Sequence, residues 1–411
     1  MDTARPASAL QRLITRCRPL YQVREFRVIL VLNTLLGLAY SFVSPFISMF
    51  GTREVGMSSL RFGVFMATTA ISGIVLGTTL AHYSDTRISR RRMLLAGSFL
   101  GILGYIGYAL VRDFTLLLII GSLVLGVSGT TFSQVFALAR EYLGRSAIEP
   151  RQTAFYMNAF RMFFALSWTV GPAIASWIMM GYSYRGIFLC AAAVFFLFFM
   201  VVLIGVPVEP KKSAISSTKR ANSIWQVLRR IDVLAHFVGF VLVFASGTIG
   251  MMNLPLLVLN VLGGTEYNVG IIYSVAPIFE LPLMFYFGLL ATRMDPARLI
   301  RLGVIIAIAY YGLLSLVQAP WHIYPLQFLS AATVAVTSGV AITYFQNYLP
   351  HHPGSATNLY SNATRIGSTV GYLLFGTLAW NFGHRAVFVA CTGFTVLALA
   401  LLAVPARPDE P

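Results

Sequence analysis

Fourteen of the 411 residues are carboxylates, and only Glu280 falls deep inside an apolar run. It stands about 12 residues into that run, or ~18 Å along a helix, near the middle of a ~30 Å hydrocarbon core. A carboxylate so placed either exchanges a proton or contacts a solute during turnover, or it anchors a structural ion pair. Two cations are placed in the same costly way, and Arg161, about 9–10 residues into its run or ~14 Å along a helix, is expected at a depth similar to that of Glu280. Arg161 closes Tyr156-Met157-Asn158-Ala159-Phe160-Arg161, and Arg365 closes Tyr360-Ser361-Asn362-Ala363-Thr364-Arg365. The pattern Tyr-x-Asn-Ala-x-Arg thus recurs after 204 residues, about half the chain. A chain that repeats a buried arginine in this way is expected to consist of two related halves. Asn158 and Asn362 precede the arginines by three residues and share their helix face. Trp168, seven residues after Arg161, lies on that face as well, and Gln134, Asn253, Gln346 and Asn33 add amides to other apolar runs. A carboxylate, amides and an aromatic plate are the groups that hold a small polar solute. Each polar residue alone serves equally well to bond one helix to the next.

The elements that position these residues are membrane-spanning helices. Hydrophobic residues make up 57% of the chain, charged residues only 11%, and the mean hydropathy is +0.76, where a soluble domain carries about a quarter charged residues. Twelve runs approach the roughly 20 apolar residues a span needs. They lie at about 27–50, 60–82, 93–111, 115–142, 151–179, 185–207, 233–261, 268–292, 298–317, 323–349, 356–380 and 385–405. The expected fold is an all-α integral membrane protein with twelve transmembrane helices in two pseudo-symmetric six-helix bundles. Residues 27–207 form the first bundle and 233–405 the second, joined by a polar, basic linker at 208–232, with tails at 1–26 and 406–411. The arginine-rich tail before a long first run argues against a cleaved signal.

The net charge of +16 sits in short connections, with no basic and aromatic ribbon, so no nucleic-acid partner is expected. Of the 30 Lys and Arg, 23 fall on the side that bears both termini, five on the other, and Arg161 and Arg365 within spans. That asymmetry puts both termini in the cytoplasm. No Walker A, HExxH or other enzymatic constellation occurs, and Cys17, Cys190 and Cys391 are too scattered for a metal site, so neither an enzyme nor a cofactor is expected.

The turn after the second span reads Asp85-Thr86-Arg87-Ile88-Ser89-Arg90-Arg91-Arg92. It resembles the G-x-x-x-D-R-x-G-R-R signature of the major facilitator superfamily, with both glycines replaced and one residue inserted after Asp85. Further segments resemble the bacterial sugar efflux transporter family, proton-driven exporters of small sugars and glycosides. They are Thr52-Arg53-Glu54-Val55-Gly56, Gln134-Val135-Phe136-Ala137-Leu138-Ala139-Arg140-Glu141-Tyr142, Trp168-Thr169-Val170-Gly171-Pro172, Glu280-Leu281-Pro282 and Tyr344-Phe345-Gln346. Two positions depart from that family. Asn253 stands where an aspartate is expected, and Arg365 is an additional charge. Ser167-x-x-x-Gly171-Pro172-x-x-Ala175-Ser176 resembles the antiporter signature of the fifth helix, with small residues in place of glycine.

The resemblance implies a monomeric secondary transporter of the bacterial inner membrane that works by alternating access. Protons and a sugar or related small polar solute would be its partners. In this superfamily the fifth and eighth helices touch across the halves, which implies an Arg161–Glu280 pair that tunes proton coupling. The other arrangement has Arg161 reaching to the membrane surface. Arg365 would face the second helix, which has no acid in its interior, and either binds an anionic group of the solute or bonds to hydroxyls and carbonyls. Asp85, Arg87, Arg90, Arg140 and Glu141 are expected to form a cytoplasmic latch between the halves. Phe163, Phe164 and Met251 would suit the alternative of a multidrug or metabolite exporter. A non-transporting membrane sensor is a third class, for which the short tails leave no signalling domain.

Overall fold

A computed structural model describes residues 24–86, 88–145, 150–207, 230–291, 293–348 and 353–405. The first tail through residue 23, the linker at 208–229 and the tail at 406–411 lie outside the described residues. Ten stretches are long and apolar enough to cross a bilayer. Two of them each fold back at a single non-helical residue, Ser183 (φ 54°) and Gly383 (φ 77°). The described residues therefore form twelve long apolar helices.

The first bundle holds α1 (Arg24–Val43, extended through Ile47–Met49 and a wide turn Phe50–Glu54), α2 (Ser59–Thr86) and α3 (Arg90–Leu110). It continues with α4 (Phe114–Ile119 to Thr130–Arg145), α5 (150–182) and α6 (184–205). The second holds α7 (Ile231–Asn260), α8 (Glu266–Leu290), α9 (Pro296–Leu316), α10 (Ile323–Gly339 and Ala341–Tyr348), α11 (353–382) and α12 (384–402). Helix starts follow local chemistry. The Asp113 carboxylate accepts from the Leu116 N–H at 2.9 Å to cap α4. The Asp295 carboxylate accepts from the Ala297 N–H at 3.1 Å, ahead of Pro296 in the first turn of α9. At α8 the Thr265 N–H donates to the Asn268 side chain at 2.8 Å.

The pairing of helices repeats between the bundles. α1 packs along α5 as α7 packs along α11, and α3 packs on α6 as α9 packs on α12. The bundles meet along two long seams, α5 on α8 and α2 on α11, with a smaller contact between the end of α1 and α7.

Both seams are tight at the end opposite the termini, here the far end. A Cβ on Gly63 of α2 would lie 2.6 Å from the Tyr372 carbonyl and 2.8 Å from the Gly376 Cα on α11, so only glycine allows this approach. At the other seam a Cβ on Gly270 would lie 2.8 Å from the Pro172 carbonyl, and the Ser274 hydroxyl accepts from the Ala173 N–H at 3.1 Å. Toward the end that bears the termini the same helices separate. Gly73 and Gly77 on α2 face open space and line a wide cavity, and a Cβ on Gly288 of α8 would also meet no neighbour. Among the described residues the molecule is closed at the far end and open at the terminal end.

The repeat itself is out of register by one turn. The two fold-back residues, and the Thr-Val-Gly triplets at 169–171 and 369–371, are 200 residues apart, while Tyr-x-Asn-Ala-x-Arg recurs after 204. Arg161 lies 22 residues before Ser183, but Arg365 only 18 before Gly383. The four-residue difference is about one helical turn, or ~6 Å.

Candidate functional site

Glu280 lines a cavity of about 380 Å³ between α5, α7, α8, α9 and α10. Trp168 and Phe164 of α5, Phe244 and Met251 of α7, Tyr273 of α8, and Tyr310 and Tyr311 of α9 form its apolar and aromatic wall. Gln327, Ser330, Thr333 and Thr337 of α10 add polar groups. Two prolines, Pro277 and Pro282, flank Glu280 on α8. They remove backbone donors from the helix that presents the carboxylate and favour bending there. Tyr273 is fixed by donating its hydroxyl to the Met251 carbonyl at 2.7 Å. Among the described residues Glu280 has no ion pair or hydrogen bond. The indole N–H of Trp168 is likewise buried without a partner.

A second, wider cavity of about 930 Å³ opens beside it. Thr69, Gly73, Gly77 and Thr78 of α2, Thr130 and Ser133 of α4, and Arg365 and Tyr372 of α11 line it. Phe164, Trp168 and Met251 border both cavities, so these three side chains stand between Glu280 and Arg365.

Arg161 does not join Glu280. The ion pairs within 4 Å among the described residues are Arg53–Glu266, Arg90–Glu141, Arg112–Glu54 and Arg230–Asp232. The expected depth match fails for a geometric reason. α5 is 33 residues long, well beyond a bilayer crossing, so counting from its start misplaces Arg161. Measured from the far end, Arg161 is about 33 Å along α5, while Glu280 is about 21 Å along α8 at 1.5 Å per residue. Arg161 is exposed and lines neither cavity. The position of α5 that matches Arg365 in distance from the fold-back is Ala165, and Ala165 does line the Glu280 cavity.

The other expected residues divide clearly. Asn253 donates from Nδ2 to the His384 carbonyl at 2.8 Å, and its Oδ1 lies 2.8 Å from His384 Nδ1, so both ends of the amide clamp α7 to the start of α12. Asn33 is fully buried and donates to the Phe160 carbonyl at 2.6 Å, tying α1 to α5. Gln134 accepts from Arg90 Nη1 at 3.1 Å, and Arg90 Nε lies 2.7 Å from Glu141, so these contacts join α3 to α4. Gln346 is exposed and reaches the Thr357 hydroxyl at 3.5 Å, Asn362 lines neither cavity, and Arg140 is exposed. The side chains of Asn158 and Asp85, and all of Arg87, lie outside the described residues.

The antiporter-like stripe of α5 does its work by close approach. The Ser167 hydroxyl donates to the Thr34 carbonyl of α1 at 3.0 Å, Gly171 faces Ser41, and Ser176 faces Gly270 of α8. Among the ion pairs of the described residues, Arg53–Glu266, at the far end and 3.8 Å long, crosses the bundles. Sequence reading missed it, and also missed Gln327, Tyr273, Tyr310 and Tyr311. Gln327 carried a usable signal, being a polar residue inside an apolar run. The tyrosines carried none, because only the crossing of α8, α9 and α10 brings them together.

Residues 29–371 match the Major Facilitator Superfamily, and the chain belongs to that superfamily of membrane transporters, not to an enzyme class. Within it the chain is a member of the sugar efflux transporter family. It is 33% identical over 374 residues to sugar efflux transporter A of Dickeya chrysanthemi, covering 91% of this chain and 92% of that one. It is also 26% identical to the multidrug resistance protein MdtG of Proteus mirabilis, over 86% of this chain and 89% of that one. Among solved structures the nucleoside transporter NupG is similar in fold, with a TM-score of 0.75 at 12% identity, over 93% of this chain and 98% of that one.

Proposed function

We propose that the protein exports sugars or related small polar solutes from the cytoplasm by alternating access, in exchange for protons. The observation that carries this reading is Glu280, a lone carboxylate in an aromatic-walled cavity that reaches the seam between the bundles. A sugar presents hydroxyls that donate to a carboxylate and to the Gln327 amide, and an apolar ring face that stacks on an aromatic plate such as Trp168. The family supports the direction of flux, since the Dickeya relative is named a sugar efflux transporter.

The positive-inside asymmetry supports an orientation with the terminal end in the cytoplasm and the far end outside, in a bacterial inner membrane. On that assignment the closed far end makes this the inward-open state. Solute enters between the splayed halves of α2, α8 and α11 and occupies the Glu280 cavity. Rocking of the bundles about the site parts the α2–α11 and α5–α8 seams at the far end and joins them at the terminal end. An external proton then binds the Glu280 carboxylate, which stops serving as an acceptor, and the solute leaves. The protonated carrier returns, and the proton departs to the cytoplasm. One copy of the chain holds the whole site, so a monomer suffices. Arg161 would act from the cytoplasmic mouth, and Asp85 and Arg87 would latch that mouth when it closes.

Proteoliposomes test this reading. Wild-type protein should exchange labelled sugar in counterflow and accumulate it against a gradient when a pH difference is imposed. Glu280→Gln should lose the pH-driven accumulation by tenfold or more. Full pH-driven accumulation by Glu280→Gln would overturn the coupling role. A multidrug exporter is the second reading, favoured by the MdtG similarity and by Phe164, Phe244 and Met251 in the cavity wall. It predicts flux of a lipophilic cation such as ethidium and none of sugar.

A further inference from the structure

Among the described residues Arg365 is a cation without a counterion. It lines the 930 Å³ cavity, and no described aspartate or glutamate lines that cavity with it. Among the described residues it makes no ion pair and its side chain makes no hydrogen bond. The register slip between the bundles places it one turn nearer the far end than Arg161, which moves it from the mouth to the cavity wall. The same cavity is lined by the hydroxyl-bearing Thr69, Thr130, Ser133 and Tyr372, whose hydroxyls can accept from or donate to a ligand but cannot neutralise a charge. Arg365 is exposed to the wide cavity, so at membrane depth its guanidinium is presented to whatever enters there with no protein anion to hold it.

We propose that this site takes the anionic group of the transported solute, and that the solute is a sugar acid carrying a single carboxylate. This rests on the sugar reading above and extends it. The sugar ring packs on Trp168 and Phe164, which border both cavities, with hydroxyls toward Glu280 on one side and the carboxylate toward Arg365 on the other. The planar guanidinium matches a carboxylate in two parallel hydrogen bonds. Arg365 is the only cationic residue lining either cavity among the described residues, and its single charge and planar fork match one carboxylate, whereas a phosphate dianion would bring a second negative charge toward the Glu280 carboxylate with no further cation to meet it.

The test is equilibrium binding to the purified full-length protein in nanodiscs, with glucose, glucuronate and glucose 6-phosphate as probes. Glucuronate should bind at least about tenfold more tightly than glucose, the gain expected of a charge-assisted pair. Glucose 6-phosphate should bind more weakly than glucuronate. In Arg365→Gln the ratio of glucuronate to glucose affinity should fall to about one, and in Arg365→Lys it should remain above one. Thermal unfolding of each variant identifies any that misfold, and the wild-type ratio stands without them. Equal wild-type affinities for glucose and glucuronate, or a preference that survives Arg365→Gln, would overturn the proposal. Preferred binding of glucose 6-phosphate would overturn its monoanion form. If no sugar binds at all, the sugar reading fails separately, and benzoate against benzamide then carries the test. Preference for benzoate that Arg365→Gln abolishes upholds the anion site, and its absence removes it.

Discussion

At the scale of single residues, three polar groups that look alike in the sequence do three different things. Glu280 lines a cavity and is unpaired, Asn253 spends both ends of its amide on His384, and Arg90 ties Glu141 and Gln134 within one bundle. Replacing Asn253 by Ala should therefore cost stability, not specificity. The expected loss is about 1–2 kcal/mol for a hydrogen-bonded pair between membrane helices. It would be read as a lower melting temperature in detergent, with solute affinity unchanged within a factor of two. Trp168 should behave in the opposite way. Trp168→Ala should weaken solute binding about tenfold, as loss of an aromatic plate does, while Trp168→Phe recovers most of it. Glu280 could be found from the sequence because acids are so rare in apolar runs that position alone singles it out. Asn253 could not be sorted from the binding amides, since an amide that bonds a helix and one that bonds a solute look the same until the neighbouring backbone is in place.

At the scale of helices, closure of the far end depends on two backbone approaches that admit no side chain. Gly63→Leu would drive its Cβ into the Tyr372 carbonyl, a backbone atom that cannot step aside. The variant should insert normally yet be unable to close outside. Cysteine placed at position 372 should then react with a membrane-impermeant thiol reagent added externally, several-fold faster than in the parent protein, and transport should fall by tenfold or more. By contrast the Arg53–Glu266 pair at the same end is half-exposed and long, so Glu266→Gln should change far-end closure by less than about 1 kcal/mol. The number of helices was legible in the sequence, because hydropathy and length fix each span. Their ends were not. α5 runs well past the membrane, and that surplus is what made Arg161 look as deep as Glu280. The one-turn slip was hidden for a related reason: the Tyr-x-Asn-Ala-x-Arg echo is easier to see than the Thr-Val-Gly echo that shares the register of the fold-backs.

At the scale of the molecule, the two bundles form a wedge hinged at the far end, with the wide cavity open toward the chain termini. An empty carrier resting in this form should be labelled from the cytoplasmic side. Thr78→Cys, in a background lacking Cys17, Cys190 and Cys391, should react with a thiol reagent in inside-out vesicles. A saturating substrate should slow that reaction as it shifts the population toward closed forms. Unchanged labelling on both counts would mean that the wide cavity is not the entry route.

The fold-backs at Ser183 and Gly383 also bear on how the protein is made. With one residue between α5 and α6, and one between α11 and α12, neither helix of a pair has slack to settle in lipid while its neighbour is still being synthesised. Each pair must leave the translocon as a finished hairpin, so an epitope spliced at either reversal should block biogenesis. The same insert after Gly263, where a longer connection joins α7 to α8, should be carried without harm.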